Sequence, residues 1–265
     1  MLSAKALRKV DPIRANVLKS FFASLAMFPI ALAAGELNNL FHADLEASVF
    51  VVLAAIIGYG IGDTFLFKSI VLVGVSRAYT IAYTSPLFTM ILAVLFLKEP
   101  FHVRYLIGTV LTILSIALIS LEDKKDLGRV SLKGLLMALT AALCWATGTI
   151  FVALGLKNIS VLLANTIRYP VLSLFLFLIS RPRKNWRINE KDLMILSASG
   201  ILGMVIGGIT FLSSLQFIGA ARATPLSASS PVWASIMSSI SLRERVTLRL
   251  LLSSILVTLG IYFLV

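Results

Sequence analysis

Residues 58–120 and 203–265 carry one pattern twice, at a constant offset of 145 positions and without a gap. Gly58, Gly62, Gly74, Arg77 and Ala78 recur as Gly203, Gly207, Gly219, Arg222 and Ala223. The correspondence runs on through Ser85-Pro86 and Ser230-Pro231, then Leu97-x-Glu99 and Leu242-x-Glu244, then Arg104 and Arg249. Between these punctuating residues both copies are apolar. A duplicated block of apolar helices is how membrane folds built from two structural repeats read in sequence.

The apolar stretches decide the class. The chain is 58% hydrophobic and 14% charged, with mean hydropathy +0.97, whereas a soluble domain carries about 25% charged residues. Uncharged runs at 78–97, 134–156, 193–221 and 223–242 each reach the roughly 20 residues that a helix needs to cross hydrocarbon. Strands of a membrane barrel would alternate apolar and polar residues instead. The expected fold is therefore all-α and polytopic, with spans at 15–34, 48–73, 78–97, 105–121, 134–155, 161–180, 193–217, 223–242 and 250–265. A net charge of +12 would fit nucleic acid, but the Lys and Arg sit in short loops, where they set topology. No metal or other cofactor is expected, since Cys144 is alone in an apolar run and His42 and His102 are isolated.

The repeat divides the chain into a first copy at 1–121, a linker at 122–133 and a second copy at 134–265. Extended toward the N-terminus at an offset of 149, Ala15-Asn16 meets Ala164-Asn165, Lys19 meets Arg168, and Met1 falls opposite Ile150. The first copy then has four helices where the second has five, and a span upstream of Met1 is expected over a true nine-span protein. Alternating the nine spans puts 17 loop Lys and Arg residues on the N-terminal side and four on the other. The positive-inside rule makes that first side cytoplasmic and leaves the C-terminus outside.

The block GYGIGDTFLFKSIVLVGVSRAYTIAYTSPLFTMILAVLFLKEP, its echo GMVIGGITFLSSLQFIGAARATPLSASSPVWASIMSSISLRER, and ALCWATGTIFVALGLK resemble the drug/metabolite transporter superfamily, most of all its EamA branch. The resemblance covers essentially the whole chain. It implies two inverted five-helix repeats around a central cavity, the first repeat here lacking its first helix. It also implies both termini in the cytoplasm, against the charge count.

Asp63 is the one acidic residue well inside an expected span. Such a carboxylate must face water, pair with a cation or be protonated. It reads either as a proton-coupling or ammonium-binding group, or as a structural carboxylate bonded to a helix end or to Lys68. Its repeat partner is Gly208, so any role is asymmetric. Pro86 and Pro231, after Ser85 and Ser230, are expected to kink spans 3 and 8 at matching depth, at a substrate site or hinge or as packing irregularities. Gly58-x-x-x-Gly62 and Gly203-x-x-x-Gly207 present small faces for helix packing, with pathway lining as the other reading. The resemblance places Trp145 on the cavity, with Thr147, Thr149 and Trp233 as neighbours; a residue of the interfacial aromatic belt is the alternative. Glu99 and Glu244 read as ion pairs with Lys98, Arg243 and Arg245 at the membrane boundary. Lys19 and Arg168 read as cations snorkelling to the interface, or as binders of an anionic substrate group.

The expected function is secondary transport, in the direction of export, of a small organic metabolite such as an amino acid, by alternating access around a site lined by Asp63, Ser85-Pro86, Trp145 and Ser230-Pro231. No phosphate-binding loop for ATP is visible. A proton gradient is the expected drive, with Asp63 its only sequence sign. A nonconducting membrane scaffold is the rival class; a membrane enzyme would need a cluster of ionisable groups that the sequence lacks. The expected partners are a small-molecule substrate and the lipid bilayer of the cell membrane, with no nucleic acid; a homodimer is open to such a chain.

Overall fold

The structure, a computed structural model, describes residues 12–120, 131–180, 188–233, 236–237 and 247–265. The described residues are almost all helical, because apolar chain in hydrocarbon must satisfy its backbone groups internally. We number the helices α1 (Pro12–Ala33), α2 (Leu45–Val73), α3 (Val75–Ala82), α4 (Ser85–Leu92), α5 (Val103–Ser120), α6 (Leu132–Gly155), α7 (Val161–Ile179), α8 (Glu190–Ile218), α9 (Ala220–Ala228) and α10 (Leu248–Leu264). A short helix at Glu36–Leu40 follows α1. Side chains set several starts: Asp44, Ser160, Asn189 and Thr247 accept the backbone N–H three residues on, at Ala47, Leu163, Asp192 and Leu250. Each such cap satisfies a donor that the helix itself leaves bare.

Six helical stretches are long and apolar enough to cross a membrane, at Ile13–Ala33, Leu45–Val73, Arg77–Leu97, Leu132–Gly155, Val161–Ile179 and Glu190–Ile218. Val103–Leu118 and Leu248–Leu264 are shorter apolar helices. The chain is thus a multi-pass integral membrane protein of the expected helical class. The expected span 223–242 is described only in part: it is helical up to Ala228 and again from Ser230 to Trp233.

Two expectations about spans 3 and 8 change. Neither is a kinked helix. The first breaks at Tyr83–Thr84, and α4 restarts at Ser85 with Pro86 in its first turn. The second breaks at Ser229, the repeat partner of Thr84, and resumes at Ser230-Pro231. In a first turn the missing proline N–H removes no helix bond, so a fresh start accommodates the ring better than a bend. Repetition extends to backbone angles. Gly74 (φ 84°, ψ 163°) and Gly219 (φ 79°, ψ 167°) open α3 and α9 in a conformation that only glycine adopts readily. It also extends to helix type, since α2 is π-helical over Ala55–Gly62 and α8 over Ile201–Ile206. Such segments are rare and concentrate at functional sites.

The chain divides into two compact units that cut across the sequence repeats: residues 1–64 with 151–217, and residues 65–150 with 218–265. In the first, α1 packs on α7, and Val17, Ala23 and Met27 meet Tyr169, Leu172, Leu176, Met204 and Val205 in one buried cluster. Glycines bring the backbones close. A Cβ on Gly200 would run into the Lys19 carbonyl, and one on Gly155 would lie 2.7 Å from Val51.

In the second unit, α5 packs along α10, its repeat equivalent. A Cβ on Gly108 would lie 2.7 Å from the Gly260 carbonyl oxygen, and the Ser115 hydroxyl donates to the Ser253 carbonyl at 2.7 Å. At the offset of 145, Gly108 corresponds to Ser253 and Ser115 to Gly260. The two contacts are therefore one contact seen twice, as across a two-fold axis, and they run in opposite directions along the pair. The helices are antiparallel, as inverted repeats require. Gly260→Val should wedge α5 from α10 and cost about 1–3 kcal/mol, lowering the thermal midpoint of the detergent-purified protein by several degrees. An unchanged midpoint would show that this contact does not hold the pair.

Candidate functional site

Four helices of the first unit converge on a polar cluster inside otherwise apolar surroundings. The π-helical stretches place two repeat-equivalent carbonyls there, those of Tyr59 and Met204. Each receives a side-chain donor from a neighbouring helix. On Tyr59 the donor is the Asn16 amide of α1, at 3.2 Å. On Met204 it is the Tyr169 hydroxyl of α7.

The two copies differ at the next residue. The Asn16 amide also donates to the Asp63 carboxylate at 3.4 Å. In the second copy Asn165 stands for Asn16, but Gly208 stands for Asp63. A Cβ on Gly208 would collide with the Tyr169 hydroxyl and lie 3.4 Å from the Asn165 carbonyl oxygen. Ser20 occupies the position equivalent to Tyr169 at the offset of 149, so the first copy carries a small residue where the second carries a phenol. One carboxylate is thereby exchanged for one tyrosine hydroxyl.

Arg168 completes the cluster. It is 3% exposed, and its guanidinium lies 5.1 Å from the Tyr59 ring and 5.0 Å from the Tyr169 ring. One terminal nitrogen donates to the Tyr59 hydroxyl at 3.2 Å. Burial corrects the expectation that Arg168 snorkels: it stands in the eighth of nineteen positions of α7, and its side chain packs between aromatic rings. Lys19, its repeat partner, is partly exposed, and its backbone is the surface on which Gly200 packs.

Of the eight expected cavity or coupling residues, Asp63 belongs to the first unit and the other seven to the second. In the second unit α4 packs on α9, and Tyr83 at the first break packs against the buried cluster of Ile116, Ala228, Val232 and Val257, which flanks the second. Ser85 and Pro86 are buried at the start of α4, where the Ser85 carbonyl accepts from the Thr89 hydroxyl. Trp145 packs against the buried cluster of Leu66, Val73, Ala78, Ala82 and Ala141, and its ring lies 6.3 Å from that of Tyr83; the Thr149 hydroxyl donates to its carbonyl at 3.0 Å. Ser230 is exposed and donates to the Ser227 carbonyl. Pro231 follows it, and Trp233, 46% exposed, donates its indole N–H to the Ser229 hydroxyl at 3.2 Å.

The glycine pairs sit differently in the two copies. Gly58 and Gly62 are buried in the π-helical stretch of α2. A Cβ on Gly203 would meet nothing within 4 Å, and one on Gly207 only the carbonyl of Leu202 in the same helix. The close approaches of α8 are made by Gly200 and Gly208 instead.

Glu99 also departs from expectation. Its carboxylate accepts the backbone N–H groups of Ala220 at 2.7 Å and Ala221 at 2.9 Å, capping α9, rather than serving as a boundary ion pair with Lys98. A Cβ on Gly219 would stand 2.9 Å from that carboxylate. Glu244 lies outside the described residues. Glu99→Ala should cost about 0.5–2 kcal/mol through loss of the cap, while Lys98→Ala should change stability by less than about 0.5 kcal/mol. Equal losses in thermal denaturation would return Glu99 to the ion-pair reading.

Comparison with known proteins bears on the whole chain. The EamA-like transporter family matches residues 1–121 and 132–265. An uncharacterized transporter of Archaeoglobus fulgidus is 26% identical over 261 residues, covering 98% of this chain and 90% of that protein. The uncharacterized transporter YoaV of Bacillus subtilis is 22% identical, covering 96% and 87%. A solved crystal structure superposes with a TM-score of 0.83 at 15% identity, over 99% of this chain and 90% of the other, and so shares its fold.

Proposed function

Because the chain belongs to the EamA-like transporter family, we propose that it is a secondary transporter exporting a small organic metabolite, an amino acid or similar, across the cell membrane by alternating access. Proton coupling through Asp63 is part of the proposal. The observation that carries it is the setting of that carboxylate: it lies within a membrane-crossing helix, directly after a π-helical stretch, and accepts from a buried asparagine. An ionisable group within a membrane span is costly and marks a functional site by default. Asn16, within hydrogen-bond reach of Asp63, is a neutral amide that can bond the carboxyl group in both its protonated and its ionised form.

The helix breaks supply the second half of the reading. Paired interruptions at Tyr83–Thr84 and Ser229 are places where short backbone segments can absorb a change of angle. In this proposal Ser85, Pro86, Trp145, Thr149, Ser230, Pro231 and Trp233 border the moving parts.

Asp63→Asn should abolish amino-acid transport driven by a pH gradient in proteoliposomes, without lowering the amount of protein that inserts. Wild-type protein with no flux above empty liposomes would remove the transport reading. A variant that transports at the wild-type rate would remove Asp63 from the coupling step alone.

A further inference from the structure

Arg168 is a buried cation whose immediate neighbours are two tyrosines. Among the described residues no carboxylate forms an ion pair with it, and its Nε is buried with no hydrogen-bond partner. Three residues earlier on α7, Asn165 is fully buried, and neither its amide nitrogen nor its carbonyl oxygen has a partner. Residues at i and i+3 share one face of a helix, so these groups present one side of α7. Leaving a buried guanidinium and a buried primary amide without partners is costly.

The repeat indicates what is missing from this arrangement. In the first copy the equivalent asparagine, Asn16, donates to a carboxylate that the chain itself supplies, Asp63. In the second copy the chain supplies none, since Gly208 stands at that position. Tyr169 has taken the carbonyl-capping duty that Asn16 performs in the first copy, which leaves the Asn165 amide available.

We propose that Arg168 and Asn165 form a binding subsite for the carboxylate of a small molecule, with the Arg168 Nε–H and the Asn165 amide as its donors. Charge-assisted bonds from guanidinium to carboxylate are short and strong, and within apolar surroundings they are little screened. Tyr59, whose hydroxyl holds Arg168 from one side, fixes the guanidinium plane. The proposal rests on the transport reading only in taking this molecule to be the cargo. Binding itself is measurable without flux.

The test is thermal unfolding of the purified full chain at fixed ionic strength, with benzoate, L-phenylalanine, L-phenylalaninamide or inorganic phosphate added. Ligands that bind only the folded state raise its midpoint. Benzoate and L-phenylalanine should raise it by about 2 °C or more, and the amide, which lacks the carboxylate, should not. Arg168→Gln should remove the shift without lowering the ligand-free midpoint, and Arg168→Lys should retain part of it. A structural pillar between Tyr59 and Tyr169 would instead make Arg168→Gln less stable without ligand. If that variant does not fold, Asn165→Ala carries the test and should raise the half-saturating benzoate concentration about tenfold. No shift with either carboxylate, a shift with phosphate alone, or the same shift in every variant would overturn the subsite. An intact benzoate shift in a protein without flux would defeat the transport reading and leave the subsite standing.

Discussion

In hydrocarbon no water is available to satisfy a backbone N–H or C=O, and this constraint organises the molecule. Regular helix meets it without help, which is why the described residues are helical almost everywhere. The irregularities are therefore the informative places, and several of them occur in pairs. The π-helical stretches of α2 and α8, the glycines that open α3 and α9, and the breaks at Thr84 and Ser229 all stand at repeat-equivalent positions. Three of the six are met by a specific partner: Asn16 on the Tyr59 carbonyl, Tyr169 on the Met204 carbonyl, Glu99 on the first N–H groups of α9. A break in a membrane helix persists only where such partners exist.

Two copies built to one plan allow a subtraction. What both share is scaffold: the Gly108–Gly260 and Ser115–Ser253 contacts are the same contact reflected through the antiparallel pair α5 and α10. What only one has is left for chemistry. Asp63 has no acidic counterpart, and Tyr169 and the buried Arg168 have as counterparts a serine and a partly exposed lysine. All three lie in one polar cluster of the first unit. The functional proposals rest on this difference between the copies.

Much of the fold was legible because long apolar runs and repeat spacing leave few alternatives. The described helices fall where the uncharged runs place them, and Gly74 and Gly219 were marked as special by recurring amid variable residues. The site was less legible. Prolines 86 and 231 announce a disturbance but not whether it is a bend or a restart. The spacing of Gly203 and Gly207 announces a small face but not whether another helix packs on it. Where α8 becomes π-helical its turn widens, the phase shifts, and Gly200 and Gly208 make the contacts. Arg168 looked like a snorkelling cation because depth within a span does not reveal what packs around a side chain. Asn165 and Tyr169 carried one faint sign, an asparagine repeated within apolar sequence.

The coupling role of Asp63 is open to a single reading in reconstituted protein. A pH-sensitive dye trapped inside proteoliposomes, followed while an amino acid is added outside, reports proton movement tied to substrate. Proton-coupled transport predicts a dye response that needs both the protein and the substrate and that disappears in Asp63→Asn. Labelled amino acid crossing the membrane at full rate while the dye stays silent would contradict it.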